Sequence, residues 1–246
     1  MKFFKLKVLR MNPKDNRVTT IDALIPELKT LFYGKDFYYD NLLYPKDLFF
    51  DFLAIDDTAF LRRRQRVTAM DIMTWEGTFL HEYTHPISPK LKSILEQSCL
   101  PPHQFYGAKL RQKGGFRDYF VVQFLKDTYK EVIDFSKSTF TLLSFDNTNL
   151  ENNIIFGSAA KLEKDLEPII ENYTKKYNNG ENIDLVPNYF TIKKMSIKQE
   201  FKDIDIFFQP DLRWIISERL QNRLLEEGIT GVEMIEITDV EIVIED

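Results

Sequence analysis

The sequence predicts an α+β fold, with mixed and antiparallel sheets flanked by short helices. Three observations predict it. Both ends of the chain alternate apolar and charged residues with the period of a strand. Two Ile-Ser pairs, Ile87-Ser88 and Ile216-Ser217, each stand before a short leucine-striped helix. Two strand-like runs flank Lys113-Gly114-Gly115 as the arms of a hairpin would.

The elements follow in order. From Lys2 to Arg10 the chain alternates, which puts Phe4, Leu6 and Val8 on one side. Ile21 to Phe32 has apolar spacing closer to a helix, with Pro26 near its first turn and Gly34 to end it. Phe37 to Phe60 is dense in Phe, Tyr and Leu and is broken by Pro45, so it reads as loop and strand. Asp71 to His85 reads as extended, because Trp75, Phe79 and Tyr83 recur at even spacing. Pro86 then biases His85 away from helix.

Ser88-Pro89 is a helix start: the serine caps, and proline suits the first helical position. Leu91, Ile94 and Leu95 form its stripe, and Pro101-Pro102 closes it. Phe105 to Leu110 and Tyr119 to Phe124 pair as the hairpin. Ser158 to Tyr177 reads as a charged helix with Leu162, Leu166, Ile169 and Ile170 on one side. Pro168 would kink or divide it, and Asn178-Asn179-Gly180 ends it.

Asp205 to Phe208 and Trp214 to Ile216 are strand fragments. Ser217 caps a helix striped by Leu220, Leu224 and Leu225, and Gly228 sits where a left-handed cap belongs. Strand resumes at Gly231. At the end Val240, Ile242 and Ile244 oppose Asp239, Glu241 and Glu245. The order strand, Ile-Ser cap, leucine helix, turn, strand thus occurs twice. The chain reads as a single α+β domain over 1–246, in which an internal duplication would relate about 71–124 to 186–246 as two β-α-β lobes.

Composition bounds the function. Of 246 residues, 43% are hydrophobic and 29% charged, which is ordinary for a globular chain. The 21 Phe and 11 Tyr read as an aromatic core. A net charge of −5 and a pI of about 5.4 argue against a general nucleic-acid binder and allow a basic partner. With 9 Gly and no Gly-rich phosphate loop, no nucleotide cofactor is expected. Cys99 stands alone, which excludes an intrachain disulfide, and it reads as a small buried hydrophobe at a helix end. Lysines interrupt the first fifteen residues, and no stretch is long enough to cross a membrane as a helix. The expectation is a cytoplasmic protein with no membrane partner.

One motif looks like chemistry. His81-Glu82-Tyr83-Thr84-His85 fits HExxH, which on a helix holds Zn²⁺ between its histidines with Glu as general base. The local pattern is extended instead, and residues four apart in a strand lie roughly 13 Å apart. That is too far for two ligands of one ion at about 2 Å each. His103, the only other histidine, lies in a Pro-Pro-His turn. Asp56-Asp57 and Asp203-x-Asp205 read as turns or solvated strand faces, and Arg62-Arg63-Arg64-Gln65-Arg66 as a solvated face. No catalytic, cofactor-binding or metal-binding residue is expected. A zinc-dependent hydrolase using His81, Glu82 and His85 is the alternative, and a general interaction module using Phe37 to Phe60 is a further one.

Three segments together resemble a family of bacterial immunity proteins from polymorphic toxin systems. Asp118 to Phe140 is similar to the family's strand ending in Tyr-x-hydrophobic, followed by Ile-Asp-aromatic-x-x-Ser, here Ile133 to Ser138. Asp203 to Leu220 is the second segment. Leu224 to Ile237 is similar to the family's Gly-hydrophobic-Thr-Gly turn before its last strand. Ile87 to Leu110 matches more loosely. The resemblance covers about the last two thirds of the chain, and its motifs are caps, turns and strand ends. It implies a cytoplasmic, non-catalytic protein that binds and neutralises a cognate toxin, and it names no binding residue.

Overall fold

The computed structural model describes residues 2–9, 11–12, 17–18, 20–23, 43–44, 46–55, 69–75, 84–112, 115–125, 128–144, 149–162, 164–165, 168, 171, 187–208 and 214–245. The fold is α+β. Along the chain run β1 (Phe3–Val8), β2 (Met11–Asn12), β3 (Arg17–Val18), β4 (Thr20–Ala23), β5 (Phe49–Ile55), β6 (Thr74–Trp75) and β7 (Thr84–Ile87). Then follow α1 (Pro89–Leu95), β8 (His103–Gln112), β9 (Gly115–Phe124), α2 (Tyr129–Val132), β10 (Thr139–Ser144), β11 (Asn149–Ile154) and β12 (Pro187–Ile197). A 3-10 turn at Gln199–Phe201 precedes β13 (Ile206–Phe208), β14 (Trp214–Ser217), α3 (Glu218–Glu226), β15 (Val232–Glu236) and β16 (Glu241–Ile244). Among the described residues, no helix is long and apolar enough to cross a membrane.

The chain divides into two compact units. The first holds Met1–Asp127, Ile204–Ile206 and Trp214–Ile235; the second holds Thr128–Asp203, Phe207–Arg213 and Glu236–Asp246. The two lobes drawn from the sequence do not follow this division. Their capped helices, α1 and α3, both belong to the first unit.

In the first unit a six-stranded sheet has the order β6-β4-β5-β8-β9-β7. Its centre is the β8-β9 hairpin, which pairs antiparallel from His103↔Phe124 to Gln112↔Gly115. One face is apolar because alternate residues meet there: Tyr106, Ala108 and Leu110 from β8, Tyr119 and Val121 from β9, and Phe50 from β5, with Met70 and Met73. In a second sheet β1 lies between β14 and β15, and Phe4 pairs antiparallel with Ile216. Trp214 stacks edge-on against Phe124 and His85 at centroid distances of 5.0 and 5.1 Å. Such edge-to-face pairs add about 1 kcal/mol to simple burial.

The second unit is built on a sheet of order β11-β10-β12-β16. Phe135, Phe140 and Phe156 form its aromatic centre, with Phe135 stacked on Phe140 at 5.7 Å. Val132, Leu142, Leu162, Ile192, Met195 and Ile197 are buried with them.

Several expectations change. Thr20–Ala23 is strand, so no helix begins at Ile21; β-branched Thr20 and Ile21 favour the pleat over the helix. The rest of Ile21 to Phe32 lies outside the described residues. Leu225, expected in the helix stripe, is 56% exposed, while Leu220 and Leu224 are buried; three- and four-residue steps keep those two on one face, and Leu225 turns off it. Residues 159–162, 164, 165, 168 and 171 are helical, as expected, while the neighbours of Pro168 on either side lie outside the described residues. Ser158 Oγ accepts from the Lys161 N–H at 3.1 Å, which caps it. Within Phe37 to Phe60, Phe50 is fully buried while Phe49 is 49% exposed.

Candidate functional site

The polar residues with a chemical look converge, in the first unit, on two carboxylates, Asp205 buried and Asp71 half-buried. Each begins with a capped helix. Ser88 and Ser217 both have extended backbone, with φ near −70° and ψ near 157° (−71/159 and −70/156). Ser88 Oγ accepts from the Leu91 N–H, and Ser217 Oγ from the Leu220 N–H, each at 3.1 Å. An oxygen at this position satisfies an N–H the helix cannot, worth about 1 kcal/mol.

Each cap is itself held by an aspartate. Ser88 Oγ donates to Asp71 Oδ1 at 2.7 Å, and the Ser88 N–H donates to the Asp71 carbonyl at 2.7 Å. Ser217 Oγ donates to Asp205 Oδ1 at 2.5 Å, and the Ser217 N–H donates to the Asp205 carbonyl at 3.0 Å. The second oxygens reach across. Asp71 Oδ2 accepts from the Thr230 N–H and hydroxyl at 2.9 and 2.8 Å, just after α3. Asp205 Oδ2 accepts from the Cys99 N–H at 2.8 Å, just after α1. Each aspartate therefore starts one helix and fixes the exit of the other. We call these arrangements clasps.

These bonds fix helix ends. Each serine gives its proton to a carboxylate, an arrangement that differs from the Ser–His pair of an activated serine nucleophile. Asp205 is 2% exposed, and Arg219 adds a fork to it, Nε to Oδ1 at 3.0 Å and Nη2 to Oδ2 at 2.9 Å. Burial of a carboxylate is tolerable only with such partners. Asp203, its neighbour in the predicted pair, is exposed, so only one member of Asp203-x-Asp205 lies on a solvated face. Sequence reading missed the clasps because Asp71 and Ser88, or Asp205 and Ser217, carry no motif. Only the repeated Ile-Ser signal could have led to them.

Asp71 also acts on Tyr119. That phenol is pushed up to about 12, first by burial and then by the Asp71 charge, and its hydroxyl donates to the Met70 carbonyl at 3.0 Å. Tyr106 is raised by burial too, and its hydroxyl lies 2.9 Å from Gln123 Oε1, which also accepts from the Tyr44 N–H.

Of the HExxH residues, His81 and Glu82 lie outside the described residues. His85 lies in β7, opposite Val122 of β9, so the chain is extended at the second histidine. Its ring is buried, with Nδ1 3.0 Å from the Met73 carbonyl. Among the described residues, no three His, Cys, Asp or Glu side chains are grouped as a metal ion would need. His103 opens β8 instead of sitting in a turn, with Nδ1 2.8 Å from the Pro101 carbonyl. Cys99 is exposed, not buried, and the fold uses its backbone N–H and carbonyl. Asp56-Asp57, Arg62 to Arg66 and the glycines of the Lys113-Gly114 turn lie outside the described residues, save Gly115.

In the second unit Asp134 builds a local turn. Its Oδ1 accepts from the Ser136 N–H and hydroxyl at 2.9 and 2.6 Å, and these bonds hold the carboxyl below its ordinary value. Ser138 is fully buried, donates to the Asp134 carbonyl at 2.7 Å and accepts from the Ser196 N–H at 2.9 Å.

No protein-family model matches the chain, and no curated protein matches it.

Proposed function

We propose that the chain is a non-catalytic, immunity-type protein that binds and neutralises a cognate toxin domain in the bacterial cytoplasm. One observation carries the reading. The three segments that resemble immunity proteins contain the residues that shape the fold. Ile133 to Ser138 forms the Asp134 turn, and Asp203 to Leu220 holds Asp205, Ser217 and Arg219. Leu224 to Ile237 holds Gly228, Thr230 and Gly231, with Gly228 and Gly231 at φ 60° and 93°. A likeness at such positions speaks for a shared architecture. The hydroxyls and carboxylates of the clasps are engaged internally, which favours a surface that binds over a site that reacts.

The test is co-expression with toxin domains encoded beside the gene. Rescue of growth, with a stable complex on a sizing column, is expected. Continued killing with no complex would sink the proposal. Zinc analysis of the purified protein and the His81→Ala, His85→Ala variants separates this reading from a hydrolase.

A further inference from the structure

We infer that the outer edge of β16 is a docking site for an extended partner segment in which basic and apolar residues alternate. The inference rests on the proposed role as a binder and names the partner's chemistry.

The two edges of the second unit's sheet differ. At β11 the ladder to β10 slips twice, between Phe140 and Leu142 and between Leu142 and Leu143, and Asn153 has φ 58°. Such irregularity blunts an edge against further pairing. At β16 the ladder is regular: Lys194↔Glu241, Met195↔Ile242, Ser196↔Val243 and Ile197↔Ile244. β16 ends the sheet, and among the described residues no strand pairs with its outer side.

The orientation of its backbone follows from one bond. The Glu245 N–H donates to the Ile197 carbonyl at 3.0 Å, so odd-numbered residues turn their peptide groups toward β12. Ile242 and Ile244 therefore turn theirs outward, the arrangement that strand addition requires. Their side chains share the face of Met195 and Ile197, which are fully buried, yet are themselves only half-buried. An apolar residue on an added strand would cover them. On the other face Glu241 is exposed, beside Lys194. A basic residue on the added strand would complete an alternation of charge across three strands.

Charge also selects against a second copy. Parallel self-pairing would set Glu241 beside its twin, and antiparallel self-pairing centred on Val243 would set it opposite Glu245, whose carboxylate is held by Lys137 and Ser196 and brings Glu241 no basic partner. Like charges directly opposed oppose pairing.

The probe is a labelled Lys-Val-Lys-Val-Lys peptide, with Glu-Val-Glu-Val-Glu as its counterpart, followed by fluorescence anisotropy. The full chain should bind the lysine peptide about tenfold or more tightly than the glutamate one. Ile242→Pro removes an outward N–H, a change edge strands tolerate, and should abolish binding. Glu241→Lys should reverse the preference, and it carries the test if Ile242→Pro fails to fold. Equal affinity for both peptides, or an unchanged preference in Glu241→Lys, would overturn the inference. Full neutralisation of a toxin by Glu241→Lys would also overturn it while leaving the immunity-type role standing. A peptide preference without toxin neutralisation by the wild type would uphold the edge and sink that role.

Discussion

The two clasps do the same work with different chemistry. At Asp205 the clasp is closed by a side chain: the Arg219 fork covers a carboxylate that also holds Ser217 and Cys99. At Asp71 no arginine of the described residues bonds the carboxylate, and Thr230 supplies both its N–H and its hydroxyl. Here the backbones themselves approach. The Ile72 N–H donates to the Thr230 carbonyl at 3.2 Å, and a Cβ on Gly231 would lie 2.1 Å from the Ile72 carbonyl oxygen. One fold thus fixes the exit of a helix by charge in one place and by close packing of backbone in the other. The lesson is that a repeated local pattern constrains geometry, and the partners that satisfy it are chosen by what the neighbouring chain can bring.

The sharpest way to break this contrast is Gly231→Ala. It combines a left-handed φ of 93° with a backbone clash, neither of which a rotamer change can relieve. We expect a loss of about 4 kcal/mol in urea unfolding, or no soluble protein. Gly228→Ala is the control: its φ is 60°, but nothing lies within 4 Å of the added Cβ, so the cost should be about 1 kcal/mol.

Asp205→Ala comes next. It strands Ser217 and the Cys99 N–H and takes the carboxylate away from the Arg219 fork, and it should cost about 3 kcal/mol. Asp71→Ala, which takes the carboxylate from Ser88 and Thr230, should cost about 2 kcal/mol. If Asp71→Ala proves the costlier of the two, charge is not what distinguishes the clasps. Arg219→Ala should cost about 2 kcal/mol: its side chain is 59% exposed, which lets salt screen part of the pair, but its loss strips the fork from the buried Asp205 carboxylate, which keeps the Ser217 hydroxyl and the Cys99 N–H.

The smallest expected effect links Asp71 to Tyr119. Because that phenol is pushed up to about 12, the folded protein keeps a proton that the unfolded chain releases near its usual value of 10.0. Stability is therefore intact below about pH 10 and falls as pH rises toward about 12. Asp71→Asn removes the negative charge and should lower the Tyr119 titration, seen as an earlier rise in tyrosinate absorbance. An unmoved titration would show that burial alone sets it.

Much of this was legible in the sequence, and the reasons for the rest are physical. Ser88 and Ser217 were readable as caps because capping is local, and Gly228 as a left-handed turn for the same reason. The hairpin and the period-two run at β16 were readable from side-chain alternation. The aspartates behind the caps were not. Asp71 lies 159 residues from Thr230, and Asp205 lies 106 from Cys99, and no spacing rule reaches so far. Thr20 and Ile21 misled because apolar spacing alone does not separate a short strand from a helix. Cys99 misled because its backbone, not its thiol, is what the fold needs.

The proposed role assigns the Ser88 and Ser217 hydroxyls and the His85 imidazole to the fold, and activity to binding. The most direct measurement is toxin neutralisation by Ser88→Ala, Ser217→Ala and His85→Gln, at a temperature where melting curves show each variant folded. Neutralisation equal to the wild type is the predicted result. A folded variant that forms the toxin complex yet fails to neutralise would contradict it, because a group needed beyond folding and binding is a group that reacts.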